Sequence, residues 1–445
     1  MTFPPRGDVT TGWSVGKRRR LRPDERHPRE AHGQRGRGDE GKAGAVPVAL
    51  EDDIRGRRAA DIEAGDSAVE RRAARAKIER GGRVLIDHGE ARRRSASSRR
   101  LNDAIHLDEA GDAWAWGDVA AIGYPAEDRL NGLPEATAGF VERRFGLTVD
   151  PARVIGCGDV MAGVRLALEV LCDPAPVVVP TPAYPPFLQI PAVTGRELIT
   201  VPCRGSELDV EAIGVALAAG GRTVLLSSPH NPLGRVFTAA ELAALRDVVL
   251  AHGARVISDE IHAPLVLDGA RHLPYAAVEG TADHVTTVLA ASKAFNVPGL
   301  KCAQIIAGND ADLKALRAAP LVSNHGTSPL GIVASVAAYT DGDGWLDGLL
   351  ADLAARRDQF GSLVAQHLPQ LTWTPMEGTY LAWLDARPTG LADPSATALV
   401  EARVMVHPGR LFGDGFEGFA RVNLATSPQR LERIVLALAR AWNPA

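Results

Sequence analysis

From about residue 101 onward, short continuous apolar runs alternate with amphipathic stretches, and nothing else in the chain constrains its fold so tightly. The runs are Val177-Val178-Val179, Leu198-Ile199-Thr200-Val201, Thr223-Val224-Leu225-Leu226, Arg255-Val256-Ile257, Thr287-Val288-Leu289 and Gln304-Ile305-Ile306. Segments of helical period, such as 210–219 and 238–252, lie between them. A strand apolar on both faces has to be covered on both faces, and intervening helices let successive strands run parallel. The pattern predicts an α/β fold: a mostly parallel sheet with helices on both faces. A helix-rich stretch around 328–367 follows, then strands at 371–374, 380–385 and 419–424 and a closing helix from 427. These predict a smaller α+β domain at the C-terminal end.

The first hundred residues have a different character. They hold 25 of the 50 Lys and Arg but only 16 of the 54 Asp and Glu, while the remainder holds 25 against 38. Arginines cluster at Arg18-Arg19-Arg20, Arg92-Arg93-Arg94 and Arg99-Arg100, with apolar residues in neither helical nor strand period. Such a composition predicts a basic, disordered extension over 1–100, an unstructured or unintentionally translated stretch in preference to a DNA-binding arm. A large domain over 101–340 and a small one over 341–445 complete the expected organisation. The acidic majority argues against a nucleic-acid partner. Cys157, Cys172, Cys203 and Cys302 are scattered, without metal-ligand or disulfide spacing, so no metal is expected and a reducing cytoplasm is. No apolar run has the length of a membrane span, and the N-terminus lacks the apolar region of a secretory signal.

Five features carry chemistry, in chain order. Gly156-Cys157-Gly158-Asp159-Val160 precedes an amphipathic helix, where backbone N–H groups and the helix dipole favour a phosphate. Tyr184, in Pro180-Thr181-Pro182-Ala183-Tyr184, can stack on a planar ring. Asn231 lies in a Pro-Asn-Gly-rich turn after the 223–226 strand, at the strand end where α/β sheets bind ligands. Asp259 ends the strand that begins near Arg255, and Lys293 lies on the loop after the following strand. A lysine that can form a Schiff base and an aspartate that can keep a pyridine nitrogen protonated are what pyridoxal 5′-phosphate chemistry requires.

Residues 122–445 resemble the fold type I pyridoxal-phosphate enzymes of the aminotransferase class I/II superfamily, and more narrowly its cystathionine β-lyase (C–S lyase) branch. The segments Ser-Asp-Glu-Ile-His (258–262), Ser-Lys-Ala-Phe-Asn (292–296), Thr-Tyr-Leu-Ala-Trp-Leu-Asp (379–385) and Arg-Val-Asn-Leu-Ala (421–425) carry the resemblance. It implies the aspartate aminotransferase-like fold, with Lys293 as the Schiff-base lysine and Asp259 against the ring nitrogen. His262 and Asn231 would lie near the ring hydroxyl, with Tyr184 on the ring face. Gly158, Asp159 and Val160 would cup the phosphate with Ser292 and Lys301. Tyr124 would reach the phosphate of a second subunit, which implies a homodimer, and Arg421 would hold the substrate carboxylate. Lys301 stands where relatives more often have arginine, Ala290 where many have a phosphate-binding serine, and 1–121 contains no match to their substrate-side arm. The expected activity is cleavage of cystathionine or a cysteine S-conjugate to pyruvate, ammonia and a thiol. An aminotransferase is the alternative, and an aminotransferase-like transcriptional regulator is a third reading supported only by the basic 1–100 segment.

Overall fold

The computed structural model describes residues 132–443. The expectations for 1–100 and for Tyr124 lie outside the described residues.

The chain enters on helix α1 (Leu133–Phe145), bounded by Gly132 and Gly146, both at positive φ. Strand β1 (Val154–Cys157) leads into α2 (Val160–Leu171), whose N-cap is Asp159. Strands β2 (Val177–Thr181), β3 (Leu198–Pro202), β4 (Thr223–Ser227) and β5 (Arg255–Asp259) are linked by α3 (Pro185–Val193), α4 (Val210–Ala218) and α5 (Ala239–Ala251). A loop with two short 3-10 turns precedes β6 (Val285–Leu289), and β7 (Ala303–Ala307) completes a seven-stranded sheet. Its order is β1-β7-β6-β5-β4-β2-β3. Six strands share one direction. Strand β7 runs against both of its neighbours, β6 and β1. The connection between β6 and β7 carries a short 3-10 turn (Pro298–Leu300) in place of a crossover helix, and the chain returns antiparallel.

Both faces are dry, as the apolar runs require. Alternate residues of the same strands divide between two cores. Val177, Val179, Leu225, Ile257, Val288 and Ile305 pack with Val164 and Leu168 of α2. Val178, Val224, Leu226, Val256 and Val285 pack with Ile213 and Leu217 of α4 and Leu242 and Leu245 of α5. The helix starts follow their caps: Thr238 and Glu241 form a reciprocal capping box at α5.

After α6 (Asp310–Arg317), α7 (Pro329–Asp341) and the long α8 (Asp343–His367), the chain builds a second, antiparallel sheet. Its strands are β8 (Thr372–Trp373), β9 (Leu381–Asp385), β10 (His407–Pro408) and β11 (Phe419–Asn423), in the order β10-β11-β9-β8. Helix α9 (Pro394–Ala402) and the closing α10 (Pro428–Trp442) cover it, α10 burying Leu431, Val435, Leu438 and Trp442 along one stripe. One apolar cluster joins this sheet through α8 to α1 and α7, with Phe140 stacked on Tyr339 at 4.6 Å.

Candidate active site

Because β1, β2, β4, β5 and β6 share a direction, their C-terminal ends open on one edge of the sheet. That geometry brings together residues far apart in sequence. A cavity of about 380 Å³ opens there. It is lined by Gly158, Asp159, Val160, Tyr184, Asn231, Asp259, His262, Ser292, Lys293, Lys301 and Arg421, which is every expected site residue among the described residues. Ile261, Cys302, Tyr380 and Asn423 line it as well. No role was assigned to these from the sequence. Tyr380 belongs to the 379–385 segment and Asn423 to 421–425, and Ile261 lies between Asp259 and His262.

Asp259 sits at the end of β5, buried, with Oδ1 accepting from the Ile261 backbone N–H at 3.0 Å. Burial pushes its carboxyl up to about 7, the Glu260 charge adds to the rise, and the hydrogen bond and Lys293 oppose it. Lys293 is lowered from the ordinary lysine value by burial, with Asp259 pulling the other way and Arg421 adding to the drop. His262 is buried and held neutral, lowered to about 3 by desolvation, and its Nδ1 has no hydrogen-bond partner among the described residues. Tyr184 is half-buried at the start of α3, its ring edge-on to Phe187.

Arg421 projects from the middle of β11, only 8% exposed. Its Nη1 donates to Asn231 Oδ1 at 2.8 Å, its guanidinium lies 5.0 Å from the Phe412 ring centre, and Nε is buried without a partner among the described residues. With Asn231 Oδ1 accepting from Arg421, the Asn231 amide N–H₂ is left to donate into the cavity. Two loops hold this pair in register. Glu377 and Gly378 donate their backbone N–H groups to Gly234 O, and Glu377 Oε2 accepts from Arg235 Nη1 at 2.6 Å and Val236 N at 2.9 Å. The packing is close enough that a Cβ on Gly234, at φ 66, would lie 2.3 Å from Met376 Cβ. Thr379, fully buried and β-branched, holds φ 67 immediately before Tyr380. That conformation is strained for such a residue. Its N–H donates to Leu265 O, and its hydroxyl accepts from Leu381 N at 3.1 Å.

At the other end of the cavity, Gly158 packs against Gly326, whose carbonyl oxygen would lie 3.0 Å from any Cβ placed there. Asp159 differs from the sequence-based expectation in one respect. Its Oδ1 accepts from Ala162 N at 2.8 Å, capping α2, and its Oδ2 accepts from Lys301 Nζ at 2.8 Å. Its carboxylate is thus committed within the protein, and what Asp159 can offer a phosphate is its backbone N–H. Ala290 is buried in the apolar cluster under α2 and does not line the cavity.

The family model described as aminotransferase class I and II matches residues 121–438. The chain belongs to that family. Within this aminotransferase family it is similar to the cystathionine beta-lyase of Corynebacterium glutamicum, 39% identical over 313 residues, covering 70% of this chain and 83% of that protein. A crystal structure from Corynebacterium diphtheriae superposes with a TM-score of 0.71 at 36% identity, covering 78% of this chain and 88% of the other. The PLP-bound C–S lyase from Staphylococcus hominis gives a TM-score of 0.69 at 25% identity, over 78% and 88% of the two chains.

The residues present fit pyridoxal 5′-phosphate on three counts. Asp259 is a buried carboxylate facing the cavity that a protonated ring nitrogen would neutralise. His262 Nδ1 is a buried polar atom without a partner among the described residues. The start of α2, Ser292 and Lys301 offer backbone N–H groups, a hydroxyl and an ammonium to a phosphate, the ammonium being paired with Asp159 in the free protein.

Proposed function

We propose that this chain is a pyridoxal 5′-phosphate-dependent carbon–sulfur β-lyase. It would split the Cβ–S bond of cystathionine or a cysteine S-conjugate, with water, into a thiol, pyruvate and ammonia. The observation that carries the reading is the convergence of Lys293, Asp259 and Arg421 on one cavity in a chain so similar to a cystathionine beta-lyase.

The backbone N–H groups at the start of α2, with Ser292 and Lys301, would hold the phosphate. Tyr184 would cover one ring face, Asn231 and His262 would border the ring hydroxyl, and Asp259 would pair with the ring nitrogen. Bound there, the cofactor supplies a covalent anchor for the amino group and a ring that withdraws electrons from Cα. Arg421 takes the substrate α-carboxylate, its planar fork matching two oxygens. Its partnerless Nε and its lack of any ion-paired carboxylate among the described residues leave it ready for that anion. Lys293, with its pKa lowered by burial, is the base that removes the Cα proton. Loss of the thiolate from Cβ leaves 2-aminoacrylate, which hydrolyses to pyruvate and ammonia.

The family's name supports a second reading, an aminotransferase, which would use the same residues up to removal of the Cα proton. Incubating the purified protein with cystathionine, and separately with an amino acid and a keto acid, decides between them. Stoichiometric pyruvate, ammonia and thiol is the expected result; amino transfer without pyruvate release would overturn the lyase reading. Lys293→Ala should lose the visible absorbance of the bound cofactor and roughly a hundred- to ten-thousand-fold in turnover.

The chain is also proposed to act as a cytoplasmic homodimer, with its domain boundary near the junction of α7 and α8. Leu321 and Val322, 80% and 77% exposed, support the dimer: they lie on a turn whose neighbour Asn324 bonds Gly156 O beside the phosphate end. Among the described residues, no helix is long and apolar enough to cross a membrane.

A further inference from the structure

Asp159 is more than a helix cap. Its two carboxylate oxygens are divided between the α2 backbone and the Lys301 ammonium, and both Asp159 and Lys301 line the cavity. We propose that Asp159 is a resident counter-anion of the phosphate end of the site, which holds cofactor affinity below what that end would otherwise provide. The proposal rests on the reading that Gly158–Val160, Ser292 and Lys301 receive the cofactor phosphate.

Three physical points support it. First, the cap requires an acceptor and not a charge: asparagine and serine cap helices about as well as aspartate. Second, the ion pair is a weak brace for Lys301. The two side chains are 44% and 58% exposed, and pairs so open to water contribute little to stability. A carboxylate ion-paired to the same ammonium that a phosphate dianion must recruit opposes that dianion by charge repulsion. It also competes for the Lys301 donors. Third, the arrangement has a purpose when the cofactor is away. Without Asp159, the Lys301 ammonium would face the positive end of the α2 dipole with no other ion-paired carboxylate among the described residues. Asp159 neutralises that end in the free protein, at the expense of affinity in the loaded one. The carboxyl is held below its ordinary range, with Lys301 and the α2 backbone N–H groups outweighing its partial burial, so it stays ionised near neutral pH.

The test is equilibrium binding to the cofactor-free protein, with pyridoxal 5′-phosphate and inorganic phosphate as separate probes. Wild type, Asp159→Asn, Asp159→Ser and Lys301→Met are compared, with melting curves confirming that each is folded. Both Asp159 variants should bind each probe roughly three- to tenfold more tightly, and the gain should shrink at high salt. Lys301→Met should weaken both probes by a similar or larger factor. If Lys301→Met weakens binding while the Asp159 variants bind as wild type or worse, the counter-anion proposal is overturned and the phosphate reading stands. If Lys301→Met changes nothing, the phosphate reading fails and the proposal goes with it.

Discussion

With its carboxyl raised to about 7, Asp259 of the cofactor-free protein is partly protonated at neutral pH. The folded pKa lies above the unfolded one, so the folded protein binds the proton more tightly. This group therefore lowers stability progressively as pH rises from about 4 through about 7, and the penalty is complete above that range. A cationic ring nitrogen would remove it. Asp259→Asn should accordingly raise the melting temperature of the cofactor-free protein at pH 8, leave it little changed at pH 4, and abolish turnover. Calorimetry at the two pH values checks this, and a lower melting temperature at pH 8 would refute it. Asp259, Lys293, Asn231 and Tyr184 were legible in the sequence because each closely follows an apolar strand, where sheet direction dictates a ligand edge. The division of Asp159 was not legible, because its second partner is 142 residues away. Nor was the place of Tyr380 on the cavity wall, which depends on how a loop of the small sheet meets the large one.

The contact between the 229–236 loop and the 376–380 loop is the element-level device of the site. Glu377 binds the first loop by backbone and side chain, and Asn231 of that loop orients Arg421. Removing the Glu377 carboxylate should loosen the Asn231–Arg421 pair without touching the cofactor's phosphate. Glu377→Ala is expected to raise KM for the amino acid roughly three- to tenfold, with a smaller effect on kcat and unchanged cofactor affinity. Glu377→Gln, which keeps an acceptor oxygen, should recover part of the loss. Equal losses in KM and cofactor affinity would mean that the loop serves general stability only. Most elements could be read from period and caps, as at Thr238 and Ser427. Strand β1 was missed because Val-Ile-Gly-Cys is only four residues long and contains glycine, so it reads as a turn. Strand β10, two residues ending in proline, carries no period at all.

For the whole molecule, the exposed Leu321 and Val322 predict self-association. Leaving two such side chains in water forgoes roughly 1.5–3 kcal/mol each, which a second copy would recover. Leu321→Asp combined with Val322→Asp should give a monomer in sedimentation and weaken cofactor binding, since the turn adjoins the phosphate end. A double variant that remains dimeric would remove this support for the dimer. The two-sheet architecture was legible because fully apolar strands leave few alternatives, but the reversed direction of β7 was not: an apolar run carries no sign of which way its strand points. That reversal also bears on how the chain is made. Among the described residues, strand β1 pairs only with β7, Val154 opposite Ile306 and Cys157 opposite Ala303. On the ribosome, β1 emerges about 150 residues before its partner, an interval of roughly ten to thirty seconds at ordinary elongation rates. Throughout that interval the strand leading into the phosphate end is without the neighbour it has in the described sheet. The first strand of the described sheet to be synthesised is therefore among the last to be joined to it, and chaperone protection during synthesis would matter most for this segment.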